Sequence, residues 1–378
     1  NAVGVSRAMV SYWEAGTRTP NDRQVAALSR LLGTSIAVLV GVEEEVRTPD
    51  AVAEMLLRGA DNELPDGAAP GLGEFAEFLD TYAELAAATG VPIRGMHQSP
   101  FVSTAGFDSG DDARRKAEEV RAYLRIGLGP IGDIDTLCEL LGVTVYRAPL
   151  GPDLSSTISG AFYNHPLVGF SLLVNLDMTP GRRRFTVAHE LAHALFHSES
   201  ETYVVSTAGK SPRERFADAF AGEFLMPTEG VRRVMEEQGF GPRLDDPVEV
   251  IHLQRFFGVS YATALVRLRQ AKFLTQARFD EFREVQPVLL ARSLGFEIAE
   301  EEFGPRRDLW RLERFPPRFR RLLRQAVQAR VLSVPSAAAM TRLSIDEITE
   351  LVATGVSGSG AMKGDRDEFA EYAASGIV

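Results

Sequence analysis

The sequence predicts a mainly α protein with a small β-sheet, an α+β chain of more than one domain. Three observations carry that expectation. Apolar residues recur at helical spacing through most of the 378 residues. Runs with strand character are few and short, confined to about 143–174. Stretches rich in Gly, Pro, Ser or acidic residues, at 43–73 and 95–110, cut the chain into pieces.

From Val3 to about Gly41, short helices alternate with breaks at Gly16, Pro20 and Gly33. Residues 43–73 contain Pro49, Pro65 and Pro70 and read as linker with one short helix. Over 74–88, Phe75, Phe78, Leu79, Tyr82 and Leu85 fall on one helical face. A second linker is expected over 95–110, with a new domain beginning near Asp111. A charged amphipathic helix is expected over 113–128, and another over 134–141 that stops at Gly142. A short β run at 143–146 precedes two strands, 158–163 and 169–174, around a turn at Asn164-His165-Pro166. Helices follow over 185–197 and 212–225, the second ended by Pro227, then over about 247–283. Residues 306–329 read as one strongly basic helical stretch, and 344–352 as a last short helix. The tail from Gly355 reads as mobile. No internal repeat is visible. The expected domains are 1–41, a linker and helical connector over 42–110, 111–285, and a helical C-terminal region over 286–378.

Composition narrows the functional classes. Apolar residues make up 45% and charged residues 25%, as in soluble globular chains. No apolar run approaches the roughly 18 residues of a membrane span, and the first residues lack the pattern of a secretory signal. One cysteine, Cys138, excludes an intramolecular disulfide and a thiolate cluster for metal. A cytoplasmic location without membrane attachment is expected. The net charge of −11 argues against a protein coated in nucleic acid. Locally the balance reverses. Residues 1–41 hold four arginines against two acids, a net of +2, and 305–330 hold nine against two, a net of +7. A small DNA-binding module on an acidic body fits these numbers.

The chemistry concentrates in one helix. Three of the six histidines fall at 189, 193 and 197. Spacing of four puts them on one helical face. In His189-Glu190-Leu191-Ala192-His193 the two histidines can grip one metal ion, with Glu190 facing its open side. Imidazoles with a carboxylate suit Zn²⁺, and a catalytic site keeps a position for water. A chance match on a helical face is the competing reading, and a third ligand decides between them. Glu214 and Asp218, four apart, share a face of the helix over 212–225, while Phe216 and Phe220 face the core. Glu214 lies 21 residues beyond His193, enough chain for this helix to pack against the first. Glu214 is therefore assigned as third ligand. Asp218 is assigned to accept the second N–H of a ligand histidine, fixing its tautomer. A third helical turn bends His197 too far round for the same ion, so it reads as structural or as support behind a ligand. His165 and Tyr163, at a turn, are open as oxyanion donors or as plain turn residues. The strand over 169–174 reads as an edge on which an extended peptide could pair.

The segment Arg184-Phe185-Thr186-Val187-Ala188-His189-Glu190-Leu191-Ala192-His193, then Glu214 to Asp218, Phe220-Ala221 and Phe224-Leu225-Met226-Pro227, resembles the ImmA/IrrE family of metallopeptidases. Ile158-Ser159-Gly160 and Val174-Asn175 fit as well, and the resemblance covers about 111–270. It implies a zincin-like fold, Zn²⁺ as cofactor, His189, His193 and Glu214 as ligands, and Glu190 as general base. Asp218 stands where the family often has Asn; either side chain accepts an imidazole N–H.

Residues 4–16 have the make-up of a recognition helix. Gly4 supplies a turn, and Ser6 caps the helix and can reach a phosphate. Val10 and Trp13 face inward, whereas Arg7, Ala8, Ser11 and Tyr12 face outward, where base edges would lie. The stretch through Thr17-Arg18-Thr19-Pro20 to Gly41 resembles the Cro/cI-type, or Xre-family, helix-turn-helix, with its first helices absent before Asn1. Ser6, Arg7, Ala8, Ser11, Tyr12 and Arg18 are the expected DNA contacts. An amphipathic packing helix, or a fold used only for dimerisation, is the competing reading. The basic stretch over 306–324, interleaved with Phe315, Phe319, Leu322 and Leu323, reads as a solvated face or an intramolecular partner of the acidic body rather than a second nucleic-acid surface.

Two functions from different classes follow. One is a zinc metalloendopeptidase with a DNA-binding domain that regulates transcription, which the family resemblance turns toward cleavage of a repressor protein. The other is a non-catalytic DNA-binding regulator or antitoxin whose peptidase-like domain holds a partner such as a toxin. A homodimer is expected in either case. The intact base Glu190 favours the first, since a binding module has no use for it.

Overall fold

The computed structural model describes residues 5–14, 17–20, 24–25, 68–101, 110–151, 158–198, 203–206, 211–299, 302 and 311–357. The elements expected over 26–67, Arg306 and Arg307, and the tail from 358 lie outside the described residues. The chain is mainly α with one small sheet, as expected, and divides into two compact units. The larger comprises Arg47–Leu79 and Ile93–Pro316, and the smaller Asn1–Val46, Asp80–Pro92 and Pro317–Val378. Helix α1 (Arg7–Glu14) heads the chain, and α2 (Ala68–Thr89) belongs in part to each unit.

In the larger unit, α3 (Gly110–Tyr123) buries the small residues Ala113 and Ala117 with Val120. That flat stripe lets α3 lie close against the later α6 (Pro212–Leu225). Helix α4 (Ile134–Leu141) begins at Asp133, whose carboxylate accepts the Asp135 N–H at 2.9 Å. It ends at Gly142 in the left-handed conformation, φ 77°, as the stop signal predicts. Its one thiol, Cys138, is fully buried.

The sheet has strand order β1-β3-β2-β4, with β1 (Thr144–Ala148), β2 (Gly160–His165), β3 (Gly169–Asn175) and β4 (Tyr203–Ser206). Strand β1 runs parallel to β3, from Thr144 opposite Ser171 to Ala148 opposite Asn175. Strands β2 and β3 form an antiparallel hairpin, and β2 pairs on its other side with β4. The strand over 169–174 is therefore not an edge. All seven residues of β3 are buried, which suits an inner strand, and its hydrogen-bonding sides are taken by β1 and β2. Part of the stretch expected as a second linker is tied to this sheet. The Met96 N–H donates to Gly142 O at 2.8 Å, and Met96 O accepts the Phe170 N–H at 2.7 Å.

Helix α5 (Pro180–Phe196) packs on β2 and β3 and is flanked by α6. Every residue from Thr186 to Phe196 is buried. Helices α7 (Thr228–Glu237), α8 (Pro247–Phe257), α9 (Tyr261–Gln270), α10 (Gln276–Phe282) and α11 (Pro287–Ser293) complete this unit. The C-terminal end of α6 is held by two buried arginines. Arg121 donates to the carbonyls of Gly127, Gly129 and Phe224, and Arg267 pairs with Glu223 and donates to Met226 O.

The basic stretch over 306–329 is not one helix in its described part. A 3-10 turn, Leu312–Arg314, is followed by Phe315, Pro316 and then α12 (Pro317–Gln328). The two prolines account for the break, because a residue preceding proline is pushed out of the helical region. Arg314 pairs with Glu74 and lies 5.7 Å from the centre of the Tyr146 ring, an intramolecular role of the kind expected. In the smaller unit α12 buries Phe319, Leu322, Leu323 and Ala326, and α13 (Val334–Thr341) and α14 (Ile345–Ser357) pack with it. Among the described residues no helix is long and apolar enough to cross a membrane.

Candidate metal centre and nucleic-acid segment

The site is built where α5 meets α6. Register between the two helices is set by phenylalanines. Phe216, Phe220 and Phe224 recur every fourth residue on α6 and stack in sequence, and Phe196 from α5 sits edge-on to the first two at 5.6 and 5.5 Å. Burial of each ring stabilises by about 1.5–3 kcal/mol. The opposite face of α6 then carries Glu214 and Asp218 to the α5 histidines. Ser211 caps α6 by accepting the Glu214 N–H at 3.2 Å. Glu214 is the third helical residue, where a capping box would turn its side chain back to the cap. Here the carboxylate turns to the histidines instead.

His189 Nε2 lies 3.1 Å from Glu214 Oε2, His193 Nε2 lies 3.3 Å from Glu214 Oε1, and the two Nε2 atoms are 3.2 Å apart. Three donor atoms at such mutual distances suit a single ion with bonds of about 2.0–2.1 Å. Of the described residues only His189, His193 and Glu214 form such a group. Asp218 Oδ1 is 2.9 Å from His189 Nδ1, the nitrogen turned away from Glu214. His197 Nδ1 is 2.9 Å from His193 Nδ1.

The electrostatics fit a cation-demanding site. Burial disfavours a charged His189, but the hydrogen bonds of Asp218 and Glu214 and the charge of Glu190 outweigh it and lift its pKa to about 10. Burial likewise opposes charge on Glu214, yet its hydrogen bonds with His189 and His193 bring it down to about 2. Neighbouring carboxylates thus hold a proton on His189 where a metal would sit. His197 goes the other way, to about 3, through burial first and then repulsion by His193 and Arg213. It is a neutral imidazole.

Residues 138–269 match the family model described as the IrrE N-terminal-like domain, Peptidase_M78. Residues 1–39 match a helix-turn-helix model, HTH_3. The chain joins an Xre-type helix-turn-helix to an IrrE-like peptidase domain. It is thus a DNA-binding regulator with a peptidase-like domain. None of the curated proteins matches the chain.

Within the IrrE-like domain the residues picked from sequence come together: His189, His193, Glu214 and Asp218 within hydrogen-bonding distance, with Glu190 beside them on α5. Glu190 is fully buried, its carboxylate turned toward Gly160 of β2. Gly160 makes that possible. A Cβ there would stand 2.8 Å from Glu190 Oε1 and 2.7 Å from Leu173 O. Gly160 was visible only as part of a family pattern; its pairing with Glu190 had no sequence signal. His165 is occupied with its turn, its Nδ1 accepting the Leu167 and Val168 N–H groups at 3.2 and 3.0 Å. A separate cavity of about 670 Å³ opens at the first turn of α5, lined by Pro180, Tyr261, Leu265, Phe279 and Val288. His189 and His193 lie farther along the helix and do not line it.

In the helix-turn-helix segment, Ser6 Oγ accepts the Met9 N–H at 3.3 Å, the cap expected of it. Ser11 and Tyr12 are exposed, while Val10 and Trp13 are half-buried. The side chains of Arg7 and Ala8 lie outside the described residues. Beyond α1, the Thr17 N–H donates to Tyr12 O at 3.0 Å. That brings the Arg18 guanidinium 5.5 Å from the Tyr12 ring centre and adds it to the exposed face of α1.

Proposed function

We propose that the protein is a DNA-bound zinc metalloendopeptidase that controls transcription by cutting a repressor protein. The observation that carries this reading is the convergence of His189, His193 and Glu214 on one point, with a buried carboxylic residue, Glu190, alongside. Zn²⁺, when bound by those three residues, supplies Lewis acidity toward water and a peptide carbonyl. Glu190 takes a proton from the attacking water as its oxygen bonds to the carbonyl carbon. Glu190 then returns that proton to the amine nitrogen as the C–N bond breaks. Asp218 holds the His189 ring by its Nδ1–H. Burial of Glu190 keeps its carboxylate away from bulk water. The helix-turn-helix, as a homodimer, would place the peptidase at an operator through Ser6, Arg7, Ala8, Ser11, Tyr12 and Arg18.

The test uses Glu190→Gln, which keeps size and leaves the ligands intact. Wild type and variant are incubated with the proteins encoded beside the gene, with and without zinc. Cleavage should fall by about 10²–10⁴-fold while zinc and DNA remain bound. A fragment that appears equally with the variant sinks the mechanism. No cleavage of any neighbour by a zinc-loaded, DNA-bound protein favours instead a non-catalytic regulator that captures a toxin-like partner.

A further inference from the structure

The two ligand histidines are backed differently. His189 Nδ1 meets the carboxylate of Asp218, whereas His193 Nδ1 meets another imidazole, Nδ1 of His197, at 2.9 Å. An N···N hydrogen bond holds one proton, so one ring donates and the other accepts. If His197 donated, His193 would accept at Nδ1 and carry its own proton on Nε2, the atom that faces Glu214 and His189. That nitrogen could then bind no ion. If His193 donates, its Nε2 lone pair is free toward the ion. We infer that His197 is a positioning residue for His193: it accepts the His193 Nδ1–H and so commits His193 Nε2 to the metal.

The surroundings of His197 suit that role. It closes α5, its backbone N–H donating to His193 O at 2.9 Å, so backbone and ring are both tied to the same residue. The ring is 2% exposed and sits edge-on to Phe216 at 5.5 Å, which fixes its plane. Phe216 belongs to the ladder that sets the register of α6, so the support for His193 and the delivery of Glu214 share one packing unit. His197 is therefore no fourth ligand. Its Nδ1 lies behind His193, on the nitrogen away from the three converging donors. A neutral acceptor also adds less charge to its ligand than a carboxylate does, so the pair Asp218 and His197 gives the ion one strongly and one weakly backed imidazole.

This inference rests on the zinc-site reading above, and the experiment separates the two. Zinc affinity of the full chain is measured by competition with a chromophoric chelator for wild type, His197→Phe and His197→Gln. Phe keeps the ring and its packing but removes the acceptor, whereas Gln supplies an oxygen acceptor. His197→Phe should bind zinc about 10–100-fold more weakly, and His197→Gln should recover most of that loss. Histidine ¹⁵N spectra of zinc-loaded wild type should show His193 bound through Nε2, with its Nδ1–H coupled to the Nδ1 of His197. Should His197→Phe not fold, the spectrum of the wild type decides alone. Wild-type affinity in folded His197→Phe, or His193 bound through Nδ1, overturns the inference. Wild type that takes up no zinc overturns the metal-site reading itself.

Discussion

Helices α5 and α6 furnish one site by opposite means. From Thr186 onward α5 is buried on every side, so the histidines it brings to the site are side chains of the core. Helix α6 is two-faced: Phe216, Phe220 and Phe224 are buried, while Asp218 on the other side is 57% exposed. Ligands from a core helix are held by everything that packs there. Those from a half-exposed helix are held by its register and their own hydrogen bonds. Changes on α5 should therefore cost folding and metal together, and changes on the outer face of α6 should cost metal more than folding.

Leu191→Ala tests the first half most severely. Leu191 is fully buried between the two histidines in sequence, and its truncation should cost about 2–5 kcal/mol in a urea melt. Zinc capacity should fall with it; a variant that melts like wild type would break the contrast. Gly160→Ala should come next, at about 1–3 kcal/mol, because the new Cβ meets backbone at Leu173 O and the Glu190 carboxylate at once. Cleavage should drop further than stability explains, since Glu190 has to move.

A pH series on metal-free protein sharpens the comparison. His189 has a raised pKa, so its contribution is complete below its ordinary 6.5 and is lost as pH rises through about 10. Glu214 has a lowered pKa, so its contribution is complete above 4.5 and is lost as pH falls through about 2. Denaturant melts should show both losses. Asp218→Ala should bring the alkaline loss toward neutral pH, and an unchanged alkaline limb would deny Asp218 its hold on His189. The smallest effect belongs to Asp218→Asn, whose amide oxygen still accepts the imidazole N–H at an exposed position. Its zinc affinity should stay within about tenfold of wild type, short of the full loss of an outer hydrogen bond.

The same contrast explains what was legible in the sequence. The pair His189 and His193 needs only helical spacing, and the four-residue step from Glu214 to Asp218 needs only a helix. Their meeting was readable because Phe216 and Phe220 mark the buried face of α6, leaving the acids to point at a neighbour. What spacing could not supply was the third dimension. Face arithmetic set His197 outside the cage but could not say which nitrogen it would meet. Strand β3 was mistaken for an edge because its parallel pairing with β1, on the side away from the β2 hairpin, is not announced by the pattern of β3 itself. The break before α12 was announced, by Pro316 and Pro317, and basic character over 306–329 masked it.

The single thiol has a practical consequence. Cys138 is fully enclosed in α4 and sits in the same core as α5 and α6, with burial pushing its thiol well above the ordinary range. A thiol reagent can reach it only when that core opens. The rate at which an alkylating dye marks Cys138 is therefore a clock for opening of the peptidase core, read at one position and with no engineered label. Zinc should slow that clock in proportion to its grip, which turns the native chain into its own binding assay.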